Sequence, residues 1–127
     1  ARRALAWAMA WSVAFEDRFF AEAQALPEPV QIELVAMIRL LERFGPTLRR
    51  PHCDTLNASK HSNMKELRFD AADGVWRVAF AFDPARNAIL LVAGDKSGVS
   101  EKRFYKSLIA KADSRFDDHL ASFKGAR

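Results

Sequence analysis

The sequence predicts a single α+β domain with a first strand, two helices, three strands and a final helix, in the order β-α-α-β-β-β-α. Three patterns support this prediction: helical spacing of apolar residues between positions 30 and 44, alternation over residues 76–82, and a second helical spacing after position 100. A chain of 127 residues has the length of one domain and buries roughly two-thirds of its unfolded surface.

The first half of the chain begins with a short strand and a helix. Apolar side chains alternate over residues 9–15, as they do in a strand. We therefore place the domain at residues 9–127 and regard residues 1–8 as an N-terminal extension. Residues 16–26 predict a helix, because acidic residues occupy its first turn, where the helix dipole favours them. Pro29 suits the first turn of the helix that follows.

The second helix has a strong amphipathic pattern. Gly45 and Pro46 are expected to end it, and the two helices then form an antiparallel hairpin that covers a sheet. For the polar connection over residues 46–62 we predict no regular structure, and connections of this length are more often functional than not. The apolar stripe of the helix consists of Val30, Leu34, Ile38, Leu41 and Phe44.

Three strands and a last helix follow. Over residues 75–82 the large apolar side chains take one face, which leaves Arg77 on the other. In the preceding strand Arg68 alternates with Leu67 and Phe69. Asp-Gly and Asp-Pro pairs mark the turns between strands. The continuous apolar run at 88–93 predicts a central strand, and the stripe of the last helix is Phe104, Leu108, Ala112, Phe116 and Leu120.

Positive charge is concentrated in the strand half of the chain. Residues 45–111 carry twelve Lys or Arg against seven Asp or Glu, within a net charge of +4, and such a field attracts polyanions. Cys53 is the single cysteine and the three histidines are scattered, so we expect no disulfide, no metal site and a cytoplasmic protein. The apolar run near the start is short and interrupted by two tryptophans, so we expect neither a secretion signal nor a membrane span.

The candidate chemistry is cationic. Cleaving RNA without a metal requires an aligned 2′-OH, positive donors for the charge that grows on the phosphate, and a group that moves protons. Arg68 and Arg77 are expected on the open face of the sheet, where the planar guanidinium forms two parallel hydrogen bonds to a phosphate. Lys65, Lys96 and Arg103 are expected to complete a positive cup.

Two further residues are suited to moving protons. Tyr105 is expected to face the site because the adjacent Phe104 belongs to the helix core, and simple packing is the alternative. His61 titrates near neutral pH and is a candidate base. For Arg77 the alternative is a salt bridge to Glu66, worth about 0–1 kcal/mol when exposed.

A series of short motifs runs in order along residues 9–122. They are Phe44-Gly45-Pro46, Arg50-Pro51, Asp54-Thr55-Leu56, Asn63-Met64-Lys65-Glu66-Leu67-Arg68, Phe80-Ala81-Phe82-Asp83-Pro84, Gly94-Asp95-Lys96 and Arg103-Phe104-Tyr105. This series resembles the phage Gp49-like branch of HigB toxins, within the RelE/ParE superfamily. The resemblance implies a RelE-like domain in which a small antiparallel sheet packs against a helical hairpin and a C-terminal helix.

The same resemblance implies the toxin of a type II toxin–antitoxin pair. Such toxins are ribosome-dependent endoribonucleases that cleave mRNA by 2′-OH attack and use no metal or other cofactor. The implied partners are the ribosome with its mRNA and a cognate helix-turn-helix antitoxin, through which the pair reaches operator DNA; no membrane is involved. Two alternatives are a ParE-like inhibitor of DNA gyrase and an inactive relic that binds antitoxin and aids operon repression.

Carried over to this sequence, the resemblance implies a set of site residues. Phe104 matches the C-terminal aromatic of the family as well as Tyr105 does. The chain departs from RelE proper where Glu66 follows Lys65 in place of a lysine pair, so Glu66 is either a general base or the partner of Arg68. The predicted catalytic residues are Lys65, Glu66, Arg68, Arg77, Lys96 and Tyr105, and the predicted RNA-binding residues are Arg49, Arg50, Lys60, His61 and Arg103.

Overall fold

A computed structural model describes residues 10–125 of the chain, so the predicted extension at residues 1–8 lies outside the described residues. Five strands and three helices make up the domain. The strands are β1 (Ser12–Phe15), β2 (Cys53–Thr55), β3 (Met64–Ala71), β4 (Gly74–Phe82) and β5 (Asn87–Asp95). The helices are α1 (Asp17–Gln24), α2 (Glu28–Phe44) and α3 (Glu101–Gly125), with a 3₁₀ turn at Gly45–Thr47.

The five strands form one mixed sheet in the order β1-β5-β4-β3-β2. β1 lies parallel to β5, while the other neighbours are antiparallel. The predicted α+β fold is therefore confirmed. The structure adds β2, which pairs with β3 through Cys53 opposite Leu67 and Thr55 opposite Lys65. The prediction that residues 46–62 lack regular structure is wrong at this strand, because the open edge of β3 supplies hydrogen-bond partners for it.

The helical hairpin covers one face of the sheet and α3 covers the other, so the domain has two hydrophobic clusters. Burial of each large side chain in such a cluster contributes roughly 1.5–3 kcal/mol. The hairpin side contains Phe19, Val30, Leu34, Leu41, Leu67, Val78, Phe80 and Leu90. The α3 side contains Met64, Ala79, Ala81, Ile89, Leu91, Phe104, Leu108 and Phe116.

The end of α2 differs from its predicted apolar stripe. Phe44 is 44% exposed, although its spacing predicts that it packs in the core. The helix ends at this residue because Gly45 takes a left-handed φ of 54°, a conformation that favours glycine. A Cβ at Gly45 would also collide with the indole of Trp11. Phe44 therefore points away from the hairpin core.

Helix α1 begins one residue later than predicted, at Asp17. Glu16 is its N-cap, and the Glu16 carboxylate accepts a hydrogen bond of 3.0 Å from the backbone N–H of Phe19. This bond satisfies one of the free N–H groups at the start of the helix. Within the described residues, none of the helices combines the length and the apolar content needed to cross a bilayer.

A buried arginine ties α3 to the rest of the fold. Arg115 Nη1 donates to the Leu91 carbonyl oxygen of β5 at 2.8 Å. Its two terminal nitrogens also donate to the Glu22 carboxylate of α1, at 2.8 and 2.6 Å. One guanidinium thus joins three elements of the domain.

A second polar contact anchors the far end of α3. His119 Nε2 lies 2.8 Å from Asp83 Oδ2 in the β4–β5 turn. The backbone N–H groups of Ala85 and Asn87 donate to the other Asp83 oxygen at 2.9 Å each. Although burial is the largest influence and opposes ionisation, these hydrogen bonds together hold the pKa of Asp83 below its ordinary value. Asp83 is the turn residue that the sequence predicts.

Candidate functional site

Three polar residues of β3 and β4 share the face of the sheet that α3 covers. Glu66 and Arg68 alternate with Leu67, whose side chain packs under the hairpin. Arg68 lies directly opposite Arg77 in the β3–β4 pairing. Tyr105 lies in the second turn of α3 and reaches the same patch. The predicted arginines and the tyrosine are therefore brought together.

These four side chains form one hydrogen-bonded network around the Glu66 carboxylate. The Tyr105 hydroxyl donates to Glu66 Oε1 at 2.8 Å, and Arg68 Nη1 donates to Glu66 Oε2 at 2.5 Å. Arg77 Nε donates to the Tyr105 hydroxyl oxygen at 3.2 Å. Glu66 is 3% exposed and Arg77 6% exposed, so the network is held in low-dielectric surroundings where charge-assisted hydrogen bonds are strong.

The distances show how Glu66 contacts the two arginines. Arg77 Nε lies 3.8 Å from Glu66 Oε1, too far for a hydrogen bond, whereas Arg68 contacts the carboxylate directly. Glu66 thus pairs with both arginines, with Arg68 through a direct hydrogen bond and with Arg77 through a longer buried ion pair and through Tyr105. A role of Glu66 as a general base stays a prediction. Arg77 Nη1 also donates to the Trp76 carbonyl at 2.9 Å, which fixes the orientation of the guanidinium.

The network keeps Tyr105 protonated. Burial raises the pKa of the Tyr105 phenol above its ordinary value, and the hydrogen bond to Glu66 raises it further, while Arg77 opposes both. A phenol with an ordinary pKa near 10 is already neutral at pH 7. Tyr105 is therefore a proton donor throughout the neutral range, with a carboxylate already in contact.

An open cleft of about 290 Å³ leads from the surface to this network. We call it the β2–α3 cleft; it is lined by Arg50, Asp54, Glu66, Arg68, Glu101 and Tyr105. Ion pairs occupy its mouth, where Arg50 Nη2 lies 2.8 Å from Asp54 Oδ2. Its cations therefore have carboxylate partners that an entering phosphate would have to replace.

Lys96 reaches the cleft through a partner on α3. Lys96 Nζ lies 2.9 Å from Glu101 Oε1, and this contact is the main reason why the pKa of Glu101 is lowered. The positive field of Arg68 and Arg77 lowers it further. Lys96 and the network arginines therefore act on one carboxylate of the cleft, although Lys96 itself does not line the cleft.

Two residues of the predicted positive cup lie elsewhere. Lys65 is one residue from Glu66 and so takes the opposite face of β3, where it lines a groove with His52 and Phe44. Arg103 is two positions from Tyr105, roughly 200° around the helix. The prediction that Lys65 and Arg103 complete the cup is wrong for this geometric reason.

The remaining predicted RNA-binding residues divide between three places. Arg50 lines the β2–α3 cleft, and Arg49 lines the groove on the other face. Lys60 and His61 contact Asp117 near the far end of α3, at 2.5 and 2.8 Å. They dock the connection onto the helix and do not face the cleft.

Asp54 and Glu101 are cleft residues that the sequence interpretation missed. Asp54 lies on β2, a strand whose sequence shows no alternation of apolar and polar residues. Glu101 does carry a signal, because it lies four positions before Tyr105 and so on the same side of α3. Within residues 10–125, no group of three or more His, Cys, Asp or Glu side chains is arranged to hold a metal ion.

Comparison with known families and proteins gives a consistent result. The sequence profile of the phage-derived Gp49-like family matches residues 21–117. The chain is 48% identical over 101 residues to the putative toxin HigB3 of Mycobacterium tuberculosis, a match that covers 80% of this chain and 86% of that protein. It is 46% identical over 97 residues to the putative toxin HigB2 of the same organism, which covers 75% of this chain and 48% of that protein.

Two solved structures share the fold. A mutant of the E. coli toxin RelE in the free state has a TM-score of 0.55 at 14% identity, with 81% of this chain and 97% of that chain covered. The archaeal RelE–RelB complex from Pyrococcus horikoshii has a TM-score of 0.52 at 17% identity, with 72% of this chain and 100% of that chain covered. At these identities the likeness is one of architecture.

Proposed function

Because the chain belongs to the phage-derived Gp49-like family and is a HigB-type member of the RelE superfamily, we propose that it is the toxin of a type II toxin–antitoxin pair and cleaves mRNA on the ribosome. The names of its mycobacterial relatives support the toxin assignment. The observation that carries the enzymatic proposal is that Glu66, Arg68 and Tyr105 line an open cleft and are hydrogen-bonded in one network with the buried Arg77 behind Tyr105. The network combines two arginines, a carboxylate and a neutral phenol within hydrogen-bond contact of one another.

The proposed reaction is a metal-independent transfer within the RNA strand. The ribose 2′-oxygen forms a bond to the adjacent phosphorus while the bond from phosphorus to the 5′-oxygen of the next nucleotide breaks. The products are a 2′,3′-cyclic phosphate and a 5′-hydroxyl. Arg68 and Arg77 donate to the phosphate oxygens, on which negative charge grows in the transition state.

Two proton transfers accompany this exchange. Glu66 accepts the proton of the attacking 2′-OH, and Tyr105 gives its proton to the leaving 5′-oxygen. General acid–base transfers of this kind typically contribute 10²- to 10⁴-fold in rate. The 2.8 Å hydrogen bond between the two groups then offers a direct route by which Glu66 returns a proton to Tyr105.

The carboxylates of the cleft have a second role in this proposal. Glu66 holds Arg68, Asp54 holds Arg50 and Glu101 holds Lys96 while no RNA is bound. A phosphate that enters replaces weak surface pairs at the mouth, which are worth about 0–1 kcal/mol each. The cations are thus oriented before the substrate arrives, and pre-organised donors need no rearrangement during the reaction.

We also propose partners and a location that fit this activity. A cognate helix-turn-helix antitoxin neutralises the toxin and brings it to operator DNA, and the ribosome presents the mRNA in the cytoplasm. The antitoxin proposal is supported by the fold that the chain shares with the archaeal RelE–RelB complex.

Primer extension on a translated mRNA, with and without ribosomes, tests the proposal. We expect new 5′ ends only when ribosomes are present, and we expect Arg77→Ala to abolish them and Lys96→Ala to weaken them. Arg39→Ala is the matched control, because Arg39 is an exposed arginine of α2. If the wild-type protein made no cuts, or if both Arg77→Ala and Lys96→Ala cut normally, the proposal would be overturned. Gyrase-trapped DNA breaks without mRNA ends would point to the ParE-like alternative.

A further inference from the structure

A second, open groove lies on the other side of the β2 edge from the cleft. We call it the hairpin-side groove; it has a volume of about 720 Å³ and is lined by Phe44, Pro46, Arg49, Arg50, His52 and Lys65. The proposed reaction uses none of these residues except Arg50, which also lines the β2–α3 cleft. The two depressions therefore meet at one side chain.

The groove differs from the cleft in the state of its charges. Every cation of the cleft has a carboxylate or phenol partner. Among the ion pairs of the described residues, none involves Arg49 or Lys65. Arg49 and Lys65 thus give the groove positive charge that no carboxylate compensates, and such charge attracts a polyanion more strongly than paired cations do.

An aromatic ring stands among these cations. Phe44 is 44% exposed and lines the groove, with the Arg43 guanidinium 5.6 Å from the ring centroid. Sites for single-stranded nucleic acid typically combine cations that bind the phosphate backbone with aromatic rings on which the bases stack. An acidic peptide would use the cations but gains nothing from the ring.

The sheet edge gives the groove a direct connection to the cleft. β2 has three residues and is the last strand of the sheet. Lys65 and Glu66 are consecutive and take opposite faces of β3, one in each depression. Because the two depressions lie on the two faces of this one edge and share Arg50, a single strand that passes around β2 reaches both.

We propose that the hairpin-side groove binds the single-stranded RNA that flanks the nucleotide in the cleft, with Arg49 and Lys65 on its phosphates and Phe44 against a base. This inference rests on the proposed function for the identity of the strand. It assigns the affinity for substrate largely to the groove and the chemistry to the cleft.

Binding of labelled single-stranded RNA to the full chain tests the groove. The probes are a trinucleotide, which is too short to span both depressions when one of its nucleotides occupies the cleft, and a dodecanucleotide, which is long enough to reach both. We expect Arg49→Ala with Lys65→Ala to weaken dodecanucleotide binding about tenfold and to leave the trinucleotide unaffected. For the dodecanucleotide, the slope of log affinity against log salt concentration should be less negative by about 1.4 in this double variant. Each phosphate contact to a single strand contributes about 0.7 to that slope, and the variant removes two contacts.

Two further variants separate the contributions. Arg39→Ala with Lys111→Ala removes the same two charges from exposed positions away from both depressions and should leave both affinities and the salt slope close to wild type. Phe44→Ala should weaken dodecanucleotide binding without changing the slope, because stacking releases no counterions. Poly-glutamate serves as a competitor that has charge but no bases, and it should displace the RNA poorly.

Several outcomes would contradict the proposal that the groove binds RNA. The proposal fails if the wild-type protein does not bind the dodecanucleotide or if the double variant binds it as tightly as wild type does. It also fails if the double variant loses affinity equally for both RNAs, or if the charge control loses as much affinity as the double variant. Displacement by poly-glutamate as strong as by RNA would contradict it as well. Cleavage of ribosome-bound mRNA by the same samples distinguishes this failure from that of the proposed function. If the wild-type protein cleaves mRNA but its groove does not bind RNA, only the groove proposal fails. If the groove binds RNA but the protein does not cleave mRNA, only the proposed enzymatic function fails.

Discussion

The hydroxyl of Tyr105 donates a 2.8 Å hydrogen bond to the buried carboxylate of Glu66. The two residues come from different layers of the domain, Tyr105 from α3 and Glu66 from β3. Because the carboxylate also accepts from Arg68, it is held in one orientation by two donors. A proton donor and a proton acceptor are therefore already aligned before any substrate enters.

Tyr105→Phe should reduce mRNA cleavage about 100-fold, since it removes the proposed acid while it keeps the ring and its packing. The free energy of unfolding should fall by only about 1 kcal/mol, for one lost hydrogen bond. Single-turnover cleavage and urea denaturation measure the two effects. Cleavage at the wild-type rate would exclude Tyr105 as the acid. The buried Phe104 would then be the residue that corresponds to the C-terminal aromatic of the family.

Glu66→Gln should separate catalysis from binding. The amide keeps the size of the side chain but accepts no proton at neutral pH, so cleavage should fall about 100-fold. The negative charge that competes with a phosphate for Arg68 is also lost, so RNA affinity should rise. Fluorescence binding and single-turnover cleavage should therefore move in opposite directions. A parallel loss of both would indicate that Glu66 only supports the fold.

Arg115→Met should destabilise the domain by roughly 1–3 kcal/mol, because the Leu91 carbonyl loses its donor in a buried position. Glu22→Gln should cost less, at most about 1 kcal/mol, because Glu22 is half exposed. Urea denaturation of both variants measures the difference. Equal losses would mean that the ion pair, and not the buried carbonyl contact, dominates.

Acid should weaken the contact between Asp83 and α3. The folded pKa of Asp83 is lowered from an unfolded value near 3.9, so its contribution is complete above roughly pH 5 and is lost as pH falls through the folded pKa. Asp83→Asn should therefore be less stable than wild type at pH 7, with a difference that shrinks towards pH 3. Thermal unfolding at both pH values measures this, and a difference that stays constant would contradict it.

Strand periodicity was sufficient to predict the face of the sheet on which Arg77 lies. Alternation predicts Arg77 on the face opposite Val78, and the structure confirms this, since Val78 packs under the hairpin. The same rule applied to β3 excludes Lys65 from the face of Arg68, so this error lay in the interpretation and not in the signal. A period of two decides the face of every residue once the strand is recognised.

Other features have no local signal. β2 is three residues long, and it becomes a strand only because β3 offers an edge to pair with. The contact between Arg115 and Glu22 joins opposite ends of the chain, which no window of sequence reveals. Phe44 continues the helical spacing of α2, yet the left-handed φ of Gly45 ends the helix and leaves the ring exposed.

The burial of Cys53 has a practical consequence for measuring how this protein reaches its target. Cys53 is 1% exposed, and burial raises the pKa of its thiol to about 11, so it stays unreactive towards maleimides at neutral pH. Since the chain has one cysteine, a second one introduced by Ala58→Cys, at the exposed rim of the cleft, would take up a fluorophore or a cross-linker alone. Cys53 therefore does not need to be replaced before the protein is labelled at a single introduced cysteine.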